Sequence, residues 1–199
     1  MELAQTYDLL NAALFATSGG SRQLRKHFLG SLGIEPGQRV LELGCGTGQV
    51  TELLVSSGAE VTAVDAMPEM LTGARRRAPL ATFIEGDVLS TEAGSGYDAV
   101  VLSFLLHNFD GGGRSAVLAR SREALAPSGR VGILDWALPP GRRRGELWRK
   151  ALARIEPSPS VDDIIDGALF DEVTQAGLRL TWATSLAGGR TQVLIARAA

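Results

Sequence analysis

Apolar residues recur at helical spacing over 3–15, where Leu3, Tyr7, Leu10 and Leu14 share one face, and this predicts a helix. A second helix is expected over 21–32, with Ser21 as its N-cap. After residue 38 the pattern changes. Arg39 to Leu43 is a short apolar run entered through Pro36-Gly37, which reads as a strand, and a glycine-rich turn over 44–48 leads into a helix-compatible stretch at 49–57. Val61 to Val64, Thr82 to Ile84, Tyr97 to Phe104 and Arg130 to Trp136 read as four further strands. The run from Tyr97 is nearly all apolar, as expected of a strand covered on both faces. Helices are expected from Pro68, which suits a first turn, to about Arg77, and over 114–126, closed by Pro127-Ser-Gly129.

Strand and helix alternate about every 20–25 residues, so the core consists of βαβ units on a parallel sheet. The end of the chain differs. A helix over 163–176 stops at Gly177, and Leu178 to Ser185 and Thr191 to Arg197 form a hairpin joined by 186–190, which makes the sheet mixed. Residues 1–199 are expected to form a single domain, with 1–30 as an N-terminal helical cap and 137–162 as a variable lid.

Composition narrows the function. The chain has 199 residues, 20 Lys and Arg against 22 Asp and Glu, two His, one Cys and 24 Gly. The balanced charge argues against a nucleic-acid partner. No apolar run approaches the roughly 20 residues that span a bilayer, so no integral membrane contact is expected. One cysteine excludes an internal disulfide. With no leader-like start, a cytoplasmic setting is expected. Two His and one Cys do not build a Cys/His metal cluster, and no metal is expected.

The glycine excess points to Val40-Leu-Glu-Leu-Gly-Cys-Gly-Thr-Gly48, a strand running into a turn with glycines at 44, 46 and 48. Gly44 permits a sharp exit from the strand, and Gly46 and Gly48 remove side chains so that a ligand can approach backbone. The following helix N-terminus offers amide donors to a negative or polar group. Gln49 follows Gly48, so the dinucleotide pattern G-x-G-x-x-G is not met, which argues against a nicotinamide oxidoreductase. Asp65 ends the second strand, where an acid can accept the hydroxyls of a ribose, and Asp87 ends the third. Each also has a plainer reading: Asp65 as a helix N-cap, Asp87 as a turn-former and Cys45 as a small filler.

In these motifs the chain resembles the class I S-adenosylmethionine-dependent methyltransferases. The matching pieces are LELGCGTG at 41–48, VTAVDAMPEML at 61–71, EGDVL at 85–89, YDAVVLSFLLHNF at 97–109 and LAPSGRVGILDW at 125–136. The resemblance implies a Rossmann-like, doubly wound α/β fold, with a seven-stranded mixed sheet and an antiparallel C-terminal hairpin. It implies S-adenosylmethionine as cofactor, with Glu42, Gly44, Cys45, Gly46 and Gly48 around its methionine part and Asp65 on the ribose hydroxyls. Ala66 and Met67 would flank the adenine, Asp87 and Val88 would meet its edge, and Ser103 would border the sulfonium. The start YDLLNAALF and the layout are most similar to a small-molecule branch that includes quinone-ring methyltransferases.

His107, just past the fourth strand, resembles the histidine that deprotonates an acceptor hydroxyl in O-methyltransferases, although Asn108 stands where that pattern usually has Asp. The plainer reading is a loop-capping histidine. His27 reads as a surface residue. The Asn/Asp-Pro-Pro-aromatic motif of nucleobase amino methylation is absent, and only Asn108 and Asp135 approach a magnesium-type cluster.

The cap and lid should choose a small-molecule acceptor, with Tyr7 and Trp148 as candidate contacts. In 145–155, Leu147, Trp148, Ala151, Leu152 and Ile155 fall on one helical face. Arg142-Arg-Arg144 is either a solvated run or suited to anionic lipid or an acidic substrate. Arg75-Arg-Arg77 fits a helix C-terminus. The expectation is therefore methyl transfer to a small aromatic or apolar molecule, with oxygen favoured. A quinone or lipid C- or N-methyltransferase at a membrane surface is the alternative, and a non-catalytic cofactor-binding protein a second. The hairpin and the N-terminal helices offer surfaces for a homodimer.

Overall fold

The computed structural model describes residues 9, 13–16, 19–158 and 160–199. Tyr7, and with it most of the first expected helix, lies outside the described residues; residues 13–15 are helical. The remaining elements are α1 (Ser21–Leu32), β1 (Arg39–Leu43), α2 (Gln49–Ser56), β2 (Glu60–Asp65), α3 (Pro68–Arg77), β3 (Thr82–Glu85) and β4 (Tyr97–Ser103). They continue with α4 (Gly111–Ala124), β5 (Leu125–Trp136), α5 (Arg142–Ile155), α6 (Ser160–Ile165), α7 (Ala168–Gln175), β6 (Leu178–Leu186) and β7 (Thr191–Ala198).

The strands form one seven-stranded sheet in the order β3-β2-β1-β4-β5-β7-β6. β1 to β5 run parallel, and β7 and β6 are antiparallel, as the sequence pattern implies. Alternate strand residues face opposite layers. Val40, Ala63, Ala99, Val101 and Leu134 pack with Leu24, Phe28, Val50, Leu54, Leu71 and Leu152 on one side. Leu41, Leu43, Val64, Val100, Leu102, Val131 and Ile133 pack with Val117, Leu118, Ile164, Leu169 and Val173 on the other. Gly132 lets α1 lie directly on the sheet: a Cβ there would sit 2.9 Å from the Leu32 methyls.

Three local expectations change. Ser21 is the first helical residue rather than the cap; Gly20 holds the cap position without a side-chain bond, and the Ser21 hydroxyl donates to Gln49 Oε1 at 3.0 Å. The helix expected to run to 126 stops at Ala124, and Pro127-Ser-Gly129 becomes part of β5, with a register shift against β4 between Tyr97 and Ala99. The helix expected over 163–176 is two helices, broken at Gly167 with φ 101°.

Candidate functional site

β1 pairs with β2 on one side and β4 on the other, so the chain reverses its winding direction at β1. In an open α/β sheet, ligands bind at that switch, beyond the carboxyl ends of the strands. A cleft of about 300 Å³ lies there, lined by residues from the ends of β1, β2 and β4 and from α1.

The 44–48 turn shapes it. Gly44, Gly46 and Gly48 all have positive φ, at 72°, 52° and 77°. Asp65 holds the turn: its Oδ2 accepts from Gly46 N at 2.7 Å, and its Oδ1 from Met67 N at 2.9 Å. Each oxygen keeps capacity for a further donor. A Cβ on Gly46 would meet nothing within 4 Å, so backbone there faces open cleft. Gly48 differs from expectation. Its missing side chain makes room for α3, since a Cβ would lie 2.8 Å from Ala74 Cα, and Gly48 does not line the cleft. Glu42 is buried, donated to by Thr51 Oγ1 at 2.6 Å, and burial pushes its carboxyl up to about 8. Burial also raises the Cys45 thiol, which removes it as a thiolate nucleophile.

Of the residues expected around a cofactor, Glu42, Gly44, Cys45, Gly46, Asp65, Met67 and Ser103 line the cleft. Ala66 is exposed, Asp87 is exposed and accepts from Leu89 N at 2.9 Å as a turn-former, and Val88 is buried in the opposite layer. The Ser103 hydroxyl is buried without a hydrogen-bond partner among the described residues. A polar orphan, a carboxylate held at its base and an open glycine backbone in one cleft fit an amino-acid-bearing nucleoside of the S-adenosylmethionine type.

His107 sits in a 3-10 turn, Leu106–Asn108, immediately after β4, and is 3% exposed. Its Nδ1 lies 2.8 Å from Asp135 Oδ1, on β5, and its Nε2 lies 3.8 Å from Glu156 Oε2, at the end of α5. Asp135 also accepts from Leu106 N at 3.1 Å and Trp136 N at 2.8 Å. Burial opposes a charged imidazole, but Asp135 beside it, with a lesser contribution from Glu156, outweighs this and raises the His107 pKa. The Glu156 carboxyl is itself raised, mainly by burial. His107 does not line the cleft, although its neighbours Leu105 and Asn108 do. His27 is exposed and bonded to Gln23 at 3.1 Å.

Between His107 and α5 stands Trp136, which the sequence reading does not single out. It stacks on Phe15 at 5.9 Å, meets Phe104 at 4.6 Å and His107 at 6.1 Å, and takes Trp148 edge-on at 5.9 Å. Trp148 donates Nε1 to Ala137 O at 3.1 Å, so its indole fastens α5 to the end of β5. Leu147, grouped by helical spacing on the same apolar face, is 70% exposed. One further residue escaped the sequence reading: Arg25 of α1 lines the cleft at 4% exposure. Arg77, read as fitting a helix C-terminus, also donates to Thr47 O at 2.6 Å, tying α3 to the glycine turn.

Comparison with known proteins gives the family and the fold. A family profile described as "Methyltransferase domain" matches residues 40–129. The chain is 31% identical over 196 residues to an uncharacterized methyltransferase of Synechocystis sp., covering 96% of this chain and 91% of that one. It is 34% identical over 140 residues to a demethylmenaquinone methyltransferase of Beutenbergia cavernae, covering 70% of this chain and 57% of that relative's length. Its fold is similar to that of a TehB-like SAM-dependent methyltransferase of Corynebacterium glutamicum, with TM-score 0.68, 20% identity and 88% of each chain covered.

Proposed function

The chain belongs to the class I S-adenosylmethionine-dependent methyltransferases, and from that premise we propose that it methylates a hydroxyl of a small aromatic or apolar acceptor, with His107 taking the proton. S-adenosylmethionine, when bound, supplies a methyl group on a sulfonium, so the hard chemistry belongs to the cofactor. The chain's own task is alignment and proton removal. Asp65 and the Gly46 backbone would receive the nucleoside and the turn-side part of the ligand. Ser103, with its unpartnered hydroxyl, stands at the β4 end of the same cleft.

The observation that carries the oxygen reading is the His107–Asp135 pair beside that end. Asp135 engages Nδ1, which leaves Nε2 as the nitrogen that accepts a proton. Nε2 now faces Glu156, so the acceptor hydroxyl must enter between them, with the lid end of α5 giving way. The experiment is turnover with hydroxylated aromatic acceptors in wild type and His107→Ala. A loss of about 10²-fold or more with unchanged S-adenosylhomocysteine binding is expected. Equal turnover in a folded variant would refute the role of His107.

A second reading, ring methylation of a quinone or lipid at a membrane surface, draws on the demethylmenaquinone methyltransferase relative. It also draws on exposed Leu147, which has Arg143, Arg144 and Lys150 on neighbouring turns of α5. No helix among the described residues is long and apolar enough to cross a membrane. Co-sedimentation with anionic vesicles that disappears in Arg143→Glu/Arg144→Glu would favour this reading.

A further inference from the structure

At the opposite end of β1 from the cleft, three arginines stand in one row across the sheet. Register places Arg130 of β5 opposite Arg197 of β7, and Arg197 opposite Arg179 of β6. Paired positions on neighbouring strands share a face, and like charges set directly opposite one another are unfavourable. Among the described residues, none of the three lies within ion-pair distance of a carboxylate. Burial, and then the charge of Arg197, lower the Arg130 pKa. Arg130 spends its guanidinium on carbonyls: Nε donates to Leu32 O at 2.6 Å and Nη2 to Gly33 O, so it caps the C-terminus of α1. Arg197 donates Nη1 to Ser128 O, and Arg179 makes no hydrogen bond among the described residues. The spare donors of the row are therefore at Arg197 and Arg179, both exposed.

The row borders a groove. α1 ends at Leu32, over Gly132 of β5, and leaves the same face of β7 and β6 uncovered beyond it. A groove of about 590 Å³ lies there, lined by Gln38, Arg130, Trp182, Ile195 and Arg197 among others. Trp182 is 41% exposed. A bulge in β6 brings it to this face: the register skips Thr181, whose hydroxyl donates to Ile195 O at 2.9 Å, and Trp182 then pairs with Ile195. An indole beside guanidinium groups offers an aromatic anion both things it needs, a surface for its ring and planar donor forks for its charge. We propose that this groove binds a small aromatic anion of the nucleotide type, with its ring on Trp182 and its phosphate bridging Arg197 and Arg179. The anion offsets the repulsion within the row. Glu35, exposed on the lip of the groove, directs the negative end away from itself and towards β7 and β6.

The test is calorimetric titration of ADP into the full chain, saturated beforehand with S-adenosylhomocysteine so that adenine does not enter the cleft. Adenosine, which lacks the charge, and inorganic pyrophosphate, which lacks the ring, are titrated in parallel. Wild type should bind ADP at least about 5-fold more tightly than either. Arg197→Met should weaken ADP about 10-fold or more, the range of a charge-assisted hydrogen-bonded contact, and leave adenosine unchanged. Trp182→Ala should bring ADP down to the level of pyrophosphate. Arg142→Met removes a cation on α5 whose side chain is 91% exposed, outside the groove, and should bind ADP as wild type does. If Arg197→Met does not fold, Arg179→Met, on the edge strand, decides the matter, since unchanged ADP binding there refutes the proposal. Equal binding of ADP and pyrophosphate by wild type, an equal loss in Arg142→Met, or no ADP binding with the cleft filled refutes it too.

Discussion

His107 Nδ1 and Asp135 Oδ1 lie 2.8 Å apart, joining the turn after β4 to β5 across 28 residues of sequence. The pair sets a pH dependence. Burial works against the imidazolium, while Asp135 and then Glu156 favour it more strongly, so the folded pKa lies above the ordinary 6.5. If His107 acts as the proposed base, its neutral imidazole accepts the proton, so methyl transfer should rise with pH through that raised value. Asp135→Asn removes the dominant attraction. Its rate profile should move to lower pH, and its maximum should fall by about 10²-fold or more. Initial rates from pH 5.5 to 9.5 measure both effects, and a fall in maximum without a shift would mean Asp135 acts on geometry alone.

The same raised value has a stability consequence. The contribution of a raised histidine is fully present below its unfolded pKa, near 6.5, and is lost as pH rises through the folded one. The thermal-stability deficit of His107→Gln should therefore shrink between pH 6 and pH 9. A deficit that is constant across that window would show that packing against Trp136, not charge, is what the variant loses.

Glu42 gives a second titration with a different window. Its carboxyl rises from 4.5 to about 8 because it is buried, against an opposing hydrogen bond from Thr51 and the charge of Arg25. The folded state therefore holds the proton more tightly than the unfolded state. Stability is full below about pH 4.5 and declines as pH rises towards 8. Glu42→Gln keeps an acceptor for Thr51 and cannot ionise. Without ligand, its melting temperature should gain on wild type between pH 6 and pH 8.5. Parallel melting curves over that range would contradict this.

What the sequence made legible follows the range of the interactions. The parallel core and the C-terminal hairpin are read from strand periodicity and chain order, the seven-stranded sheet from the family resemblance, and Asp65 from its place at a strand end. These are local signals. The partners of His107 at Asp135 and Glu156 are brought in from other elements, with no mark in the residues around 107. Arg25 was invisible for the same reason: within α1 it is one basic residue among several, and only the packing of that helix on Gly132 turns it into the cleft. Leu147 shows the reverse. Helical spacing groups it with Trp148 and Leu152 on one apolar face, but Trp148, bonded to Ala137 O, sets the rotation of α5 and leaves Leu147 in solvent.

Arg114 fixes the far end of the His107 turn. It is 2% exposed, donates to Phe109 O at 2.9 Å and meets Glu172 of α7 with Nε at 2.8 Å and Nη2 at 2.7 Å. Asp163 Oδ2, 3.3 Å from Nη2, remains as a second, more exposed partner, so Glu172→Ala removes the two-pronged contact without orphaning the charge and should cost about 1.5–3 kcal/mol in denaturant unfolding. Because the guanidinium also holds the Phe109 carbonyl, turnover should fall in this variant even where the protein stays folded. A loss below about 1 kcal/mol would place the pair in the class of surface ion pairs.

Two glycines of the turn separate binding from stability. Gly46 and Gly48 both have positive φ, so alanine at either strains the backbone by about 1–2 kcal/mol. Their surroundings differ. A Cβ at Gly46 enters open cleft, whereas one at Gly48 lies 2.8 Å from Ala74 Cα and 2.9 Å from Ala74 Cβ, which are backbone and a methyl with no room to turn aside. Gly48→Ala must push α3 from α2, adding an overpacking cost of about 1–3 kcal/mol. It should lower stability by about 1–3 kcal/mol more than Gly46→Ala does. Gly46→Ala should stay folded and lose S-adenosylhomocysteine affinity, because the new methyl occupies the surface the ligand must approach. Thermal melts and calorimetric titration of the two variants check the contrast. A destabilised Gly46→Ala that binds normally, beside a stable Gly48→Ala that does not, would reverse the roles assigned to these positions.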